Sequence, residues 1–128
     1  MSIWYKVLLI GMAGGLGALS RYGLTLLLQR LLGLGLPTET LLVNVLGCFG
    51  AGLVWAALEQ LEALNSDLRV VILVGFFGAF TTFSTYALEN FILLREQQWM
   101  SAMVNLLMHN LLGLFALVLG VMLAKAVV

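Results

Sequence analysis

The sequence predicts an all-α integral membrane protein with four transmembrane helices, the third broken near its middle. Residues 1–128 form a single domain, inserted both ways up and paired as a dual-topology antiparallel homodimer. Three observations predict this: the composition, the spacing of charged and turn residues, and the balance of charge between the two ends. The chain is 62% hydrophobic and 9% charged, with a mean hydropathy of +1.11. A soluble domain carries roughly 25% charged residues, so six basic and six acidic residues are too few to cover a water-facing surface. The equal split leaves no cationic face for nucleic acid. One cysteine, Cys48, excludes a disulfide framework and a Cys-rich metal site, and one histidine, His109, excludes a multi-His site within one subunit.

A spanning helix needs about 20 apolar residues. The first span lies over about 4–30; Lys6 and Arg30 enclose its apolar stretch, with Arg21 as the only charge between them. It is too long and too Gly-rich for a cleaved signal peptide. The cluster Leu31–Thr38, with two glycines and the sole proline, Pro37, reads as a turn. The second span covers about 38–58 and is followed by the polar connection Glu59–Arg69. The third covers about 69–95, Arg95–Gln98 makes a short turn, and the fourth covers about 99–125. These runs are apolar on all sides, whereas barrel strands alternate, and the short links leave no room for a soluble domain.

Four spans place both termini on one side. Lys6, Arg69 and Lys125 share that side; Arg30 and Arg95 share the other, with Arg21 about two turns in. The positive-inside rule needs an imbalance, and here there is almost none. Such a chain inserts both ways, and opposed copies can pair across a two-fold axis in the membrane plane. The alternative is orientation set weakly by one or two charges.

Within the spans, Gly11, Gly15 and Ala18 form a small-residue face, as do Gly47, Cys48 and Ala51, and then Gly113 and Gly120; such faces let helices approach closely in lipid. Arg21 reads either as an end-of-helix residue reaching headgroups or as the lining of a vestibule. Asn44 must be hydrogen-bonded if buried, either between helices or along a passage. The third span reads GFFGAFTTFSTYALEN from Gly75 to Asn90. Thr81, Thr82, Ser84 and Thr85 sit among Phe76, Phe77, Phe80 and Phe83, after Gly75 and Gly78. Glycines weaken the helix, and hydroxyls can satisfy backbone freed at a break. Freed carbonyls suit a cation; positive ring edges and hydroxyl or amide donors suit a small anion. Glu89 reads as a helix-end carboxylate or as a mouth or proton-coupling residue. On the fourth span Asn105, His109 and Gly113 fall on one face, and His109 reads as a satisfied core residue or a proton relay.

These residues resemble the bacterial fluoride channels, the Fluc or CrcB family. GFFGAFTTFSTY matches its third-span signature; GGLGALSRY, LPTETLLVNVLGCFGAG and the four-span length agree, over nearly the whole chain. The resemblance implies a fluoride-selective channel in the bacterial inner membrane, crossing it several times and exporting cytoplasmic fluoride passively. It implies no enzyme activity, an antiparallel homodimer with two pores, and a structural sodium ion at the dimer centre. Sodium would be held by backbone carbonyls matching Gly78 and Thr81. The pore aromatics match Phe83 and Tyr86, the pore asparagine Asn44, and the vestibule arginine Arg21. Thr40, Ser84 and Thr85 are expected in the polar lining, with Asn105 and His109 as its continuation and Glu89 at its edge.

The chain departs from the family pattern in three places. Tyr86 stands where Phe is usual, Glu39 stands where a glycine precedes Thr40 and is expected to slow anion access at the mouth, and Gly113 falls where a serine is common. The rival reading is a small dual-topology, proton-coupled multidrug exporter. That chemistry needs a carboxylate deep in the membrane; the first span has none, and Glu89 is the only candidate. A scaffold subunit is a third class, which leaves the hydroxyl run without a purpose.

Overall fold

A computed structural model describes residues 1–60 and 66–127, without the side chain of Gln60. Positions 61–65 of the expected polar connection lie outside the described residues. Among the described residues, four helices are long and apolar enough to cross a membrane, the number that the composition and spacing predict. Helix α1 spans Ile3–Leu32; the Ser2 side chain accepts from the Tyr5 N–H, and Gly33, at φ 61°, stops it with an N–H to the Gln29 carbonyl. Helix α2 spans Thr38–Gln60. The third span is segmented: α3 is Ser66–Val70, a π-helical stretch covers Val71–Phe77, α4 is Gly78–Phe80, and α5 is Phe83–Arg95. Between α4 and α5, Thr81 (φ −81°, ψ 158°) and Thr82 (φ −142°, ψ 108°) are extended. The end of α5 is closed by Gln97, at φ 59°, and by the Gln98 N–H on the Leu93 carbonyl at 2.8 Å; this is a Schellman-type stop. Helix α6 spans Trp99–Val127.

The packing follows from the solvent. Leu, Val and Trp side chains along α1 (Trp4, Leu8, Leu16, Leu19 and others) are exposed on the protomer. In lipid this costs nothing, so contacts are chosen by close approach and polar pairing instead. The core is therefore built from small side chains: Val43, Ala56 and Ala102 are each 1% exposed. Helices α2 and α6 lie along each other. A Cβ at Gly52 would overlap the Leu117 carbonyl oxygen, and one at Gly120 the Phe49 carbonyl oxygen, so the two backbones are in direct contact.

Helix α1 packs on the π-helical stretch. Its expected small-residue face, Gly11 and Gly15, meets nothing within 4 Å; Gly14 and Gly17 carry the contact with Gly75 and Phe76. The register that seats α1 on the third span turns the GxxxG face outward. At the end holding the termini, the Lys6 ammonium lies 2.7 Å and the chain N-terminus 3.3 Å from the Asp67 carboxylate. There too Lys125 faces Glu59 at 3.8 Å, and the Arg69 guanidinium stacks 5.3 Å from the Trp55 ring. Lys6, Arg69 and Lys125 thus share one end, as four crossings require.

Candidate functional site

The interruption at Thr81–Thr82 organises everything around it. In an unbroken helix the Thr82 N–H would close onto the Gly78 carbonyl. Here it donates to Asn44 Oδ1 at 2.8 Å, and Asn44 Nδ2 donates back to the Thr82 carbonyl at 3.2 Å. One side-chain amide on α2 thus replaces a backbone partner on both sides of the Thr82 peptide, as a buried break demands. The Thr85 N–H, which would close onto the Thr81 carbonyl, instead meets the Thr82 hydroxyl oxygen at 3.3 Å. That hydroxyl caps α5 and donates to Thr85 Oγ1 at 3.0 Å, with Ser84 Oγ 3.3 Å away. The carbonyls of Gly78 and Thr81 are consequently released from their in-line donors. Thr81 is held from the other side: its hydroxyl and its N–H both donate to the Phe77 carbonyl, at 2.9 and 3.0 Å.

Two clefts with polar side chains in their lining meet at Thr82. One, of about 220 Å³, is lined by Asn44, Cys48, Thr81, Thr82, Phe83, Tyr86, His109 and Asn110. The other, of about 230 Å³, is lined by Arg21, Tyr22 and Thr25 from α1, Glu39, Thr40 and Val43 from α2, and Thr82 and Thr85, among others. Arg21 therefore faces a hydroxyl-lined hollow. Asn44 takes both roles left open by its spacing, since it is an interhelical hydrogen-bonding group and also cleft lining.

The aromatic pair divides in two. Phe83 is 78% exposed and Tyr86 8% exposed, with ring centroids 5.4 Å apart. Tyr86 is fixed by α6: its ring lies 4.4 Å from the His109 ring, and its hydroxyl accepts from Asn110 Nδ2 at 3.3 Å. The hydroxyl that distinguishes Tyr86 from a phenylalanine is thus a latch onto α6. Ser84 and Gly78 are exposed and Thr81 and Thr85 half-buried.

Toward the α1–α2 turn lies a buried polar cluster. The Thr40 hydroxyl donates to Glu89 Oε1, and both residues are 5% exposed. Glu89 is therefore a carboxylate buried between α2 and α5. Glu39 is 6% exposed and accepts from Gln29 Nε2 at 2.8 Å; it lines the hollow with Arg21, its carboxylate tied to α1. Asn105 is 4% exposed and borders this cluster. Among the described residues, the buried atoms Glu89 Oε2, Asn90 Oδ1, Asn105 Nδ2 and His109 Nε2 have no hydrogen-bond partner.

Three contributors were absent from the expected lining. Cys48, read only as a packing residue, lines the aromatic cleft and also packs on Gly113, whose Cβ would lie 3.5 Å from the sulfur. Thr82 supplies the clamped peptide, and Asn110 holds Tyr86. Thr82 is legible as part of the hydroxyl run; nothing in the spacing singles out either Thr82 or Asn110.

A family model described as CrcB-like protein, Camphor Resistance (CrcB) matches residues 8–121. A protein of Desulforapulum autotrophicum named fluoride-specific ion channel FluC is 42% identical over 123 residues, covering 96% of this chain and 98% of its own. One of the same name from Nitrosococcus oceani is 44% identical, over 92% of this chain and 94% of its own. Another so named, from Nitratidesulfovibrio vulgaris, is 48% identical, over 90% and 93%. With four spanning helices, a third span interrupted at paired threonines and a match over nearly its whole length, this multi-pass membrane protein belongs to the CrcB family.

Proposed function

We infer that this chain forms a fluoride-selective channel and performs passive transport rather than catalysis. The observation that carries the reading is the interruption at Thr81–Thr82, which gathers hydroxyls, an amide and two aromatic rings along the clefts it creates; the identity of the ion follows from the names of the relatives. Fluoride is small and holds its water tightly, so a pore must replace that water with strong donors. Ser84 and Thr85 hydroxyls, the second Asn44 N–H and the positive edges of Phe83 and Tyr86 supply such donors, while the single Thr40 hydroxyl proton is committed to Glu89. Larger halides gain less from the same donors and meet a narrower path. Arg21 adds a positive charge at the outer hollow that draws anions in.

The working unit is an antiparallel homodimer with two pores. Phe83, Ser84 and Gly78 are exposed on the single protomer, and a polar, glycine-containing surface at membrane depth calls for a partner. The near-equal charges at the two ends permit opposed insertion. A sodium ion at the dimer centre fits the residues present, because the Gly78 and Thr81 carbonyls, released by Asn44 and Thr82, are oxygen ligands of the kind that hold sodium in broken helices. When bound, it would supply positive potential and tie the two copies together.

The test is fluoride efflux from proteoliposomes followed with a fluoride electrode, with chloride efflux and proton–drug exchange as controls. Rapid fluoride loss with chloride retained is expected. Phe83→Ile is expected to collapse fluoride flux with the dimer intact on size exclusion. Impermeable vesicles, or drug-driven proton exchange without fluoride loss, would overturn the reading, the second in favour of an exporter using Glu89.

A further inference from the structure

His109, the chain's one histidine, has a defined hydrogen-bonding state. Its Nδ1 lies 3.1 Å from the Asn105 carbonyl oxygen. A carbonyl only accepts, so Nδ1 carries the ring proton, and Nε2 of the neutral ring is a bare lone pair. That Nε2 is buried and has no partner among the described residues. The ring is held in place by the Asn105 carbonyl and by Tyr86, stacked 4.4 Å away and itself held by Asn110. A fixed nitrogen that can only accept, in the lining of an anion path, disfavours fluoride. One proton reverses this: Nε2 becomes a donor and the ring gains a positive charge.

We propose that His109 is a proton-dependent fluoride ligand, so that protonation of its Nε2 and occupancy of the Tyr86 cleft by the anion favour each other. This rests on the fluoride-channel reading. The other titratable groups lining this cleft are the Cys48 thiol on α2 and the Tyr86 phenol on α5; Glu39 on α2 lines the neighbouring cleft and Glu89 on α5 the buried cluster with Thr40. Helix α1 places Arg21 in the neighbouring cleft, and α6 has no further titratable group before Lys125. By linkage, fluoride raises the proton affinity of His109 by the same factor by which the proton raises fluoride affinity.

Electrical recording in planar bilayers with symmetric fluoride reads the anion alone, since neutral hydrogen fluoride carries no current. The wild-type current should rise about threefold or more from pH 8 to pH 5.5. The same ratio should be flat in His109→Gln and His109→Ser, which keep a donor but do not titrate, and should persist in Glu89→Gln. A flat wild-type ratio, or an unchanged slope in His109→Gln, overturns the proposal and leaves the channel reading standing. Absence of fluoride current at every pH overturns the channel reading itself. A second measurement needs no variant: the imidazole proton resonance of the sole histidine, titrated in the detergent-solubilised protein with and without saturating sodium fluoride. Fluoride should shift its midpoint upward, with sodium chloride as the control; coincident titration curves overturn the proposal.

Discussion

Asn44 is the residue on which the local architecture turns. Its amide is hydrogen-bonded to both sides of the Thr82 peptide, and Thr82 is only 8% exposed. Replacing the amide with an isosteric alkyl group, Asn44→Leu, would strand a buried N–H and C=O at about 1–3 kcal/mol each. Asn44→Asp keeps the acceptor for the Thr82 N–H and should lose less. Thermal unfolding of the purified protein in detergent is expected to rank wild type above Asp and Asp above Leu; a Leu variant as stable as wild type would show that the amide does not hold the break. The sequence flagged Asn44 as a polar residue in need of a partner, but the partner, a backbone group 38 residues away, has no side-chain signature. Glu39 and Glu89 make the same point: both were legible as acids near span ends, and only the packing decided that both are buried and bonded to Gln29 and Thr40.

At the scale of helices, α2 and α6 touch through Gly52 and Gly120, where any side chain would collide with carbonyl groups of the opposite backbone. Backbone carbonyls within helices cannot swing aside, so Gly120→Leu and Gly52→Val should force the helices apart. We expect loss of the folded species by size exclusion and a destabilisation of about 3 kcal/mol or more, at the upper end for overpacking. Gly11→Ala, at a position with nothing within 4 Å, should leave protomer stability within about 0.5 kcal/mol of wild type. If Gly11→Ala proved as damaging as Gly120→Leu, the helix register described here would be wrong. Small-residue spacing marked Gly11 and Gly120 as contact material but not Gly52; it does not say which glycines meet a neighbour within the protomer, because a three- or four-residue stripe exists on several faces of a helix at once.

For the whole molecule, orientation is the testable quantity. Lys6, Arg69 and Lys125 mark one end and Arg30 and Arg95 the other, a balance that favours neither. Glu96, exposed in the α5–α6 turn, offers a reporter. In a Cys48→Ser background, Glu96→Cys in intact cells should react with a membrane-impermeant thiol reagent in about half of the molecules. Complete or absent labelling would show a single orientation and remove the basis for an antiparallel pair.

By itself the sequence determined the class of protein: with so few charges and four apolar runs of spanning length, no water-soluble arrangement covers its surface, and short links then force successive helices to cross back and forth. It also marked the stretch that carries the chemistry, since hydroxyls and glycines among phenylalanines at membrane depth call for backbone that needs partners. The tertiary structure decided who those partners are. Lipid does not distinguish one apolar face of a helix from another, so hydropathy cannot set which face turns inward. The register of α1 on the third span, the seating of Asn44 on Thr82, the exposure of Phe83 beside a buried Tyr86 and the bare nitrogen of His109 follow from close backbone contact and buried hydrogen bonding between residues far apart in the chain.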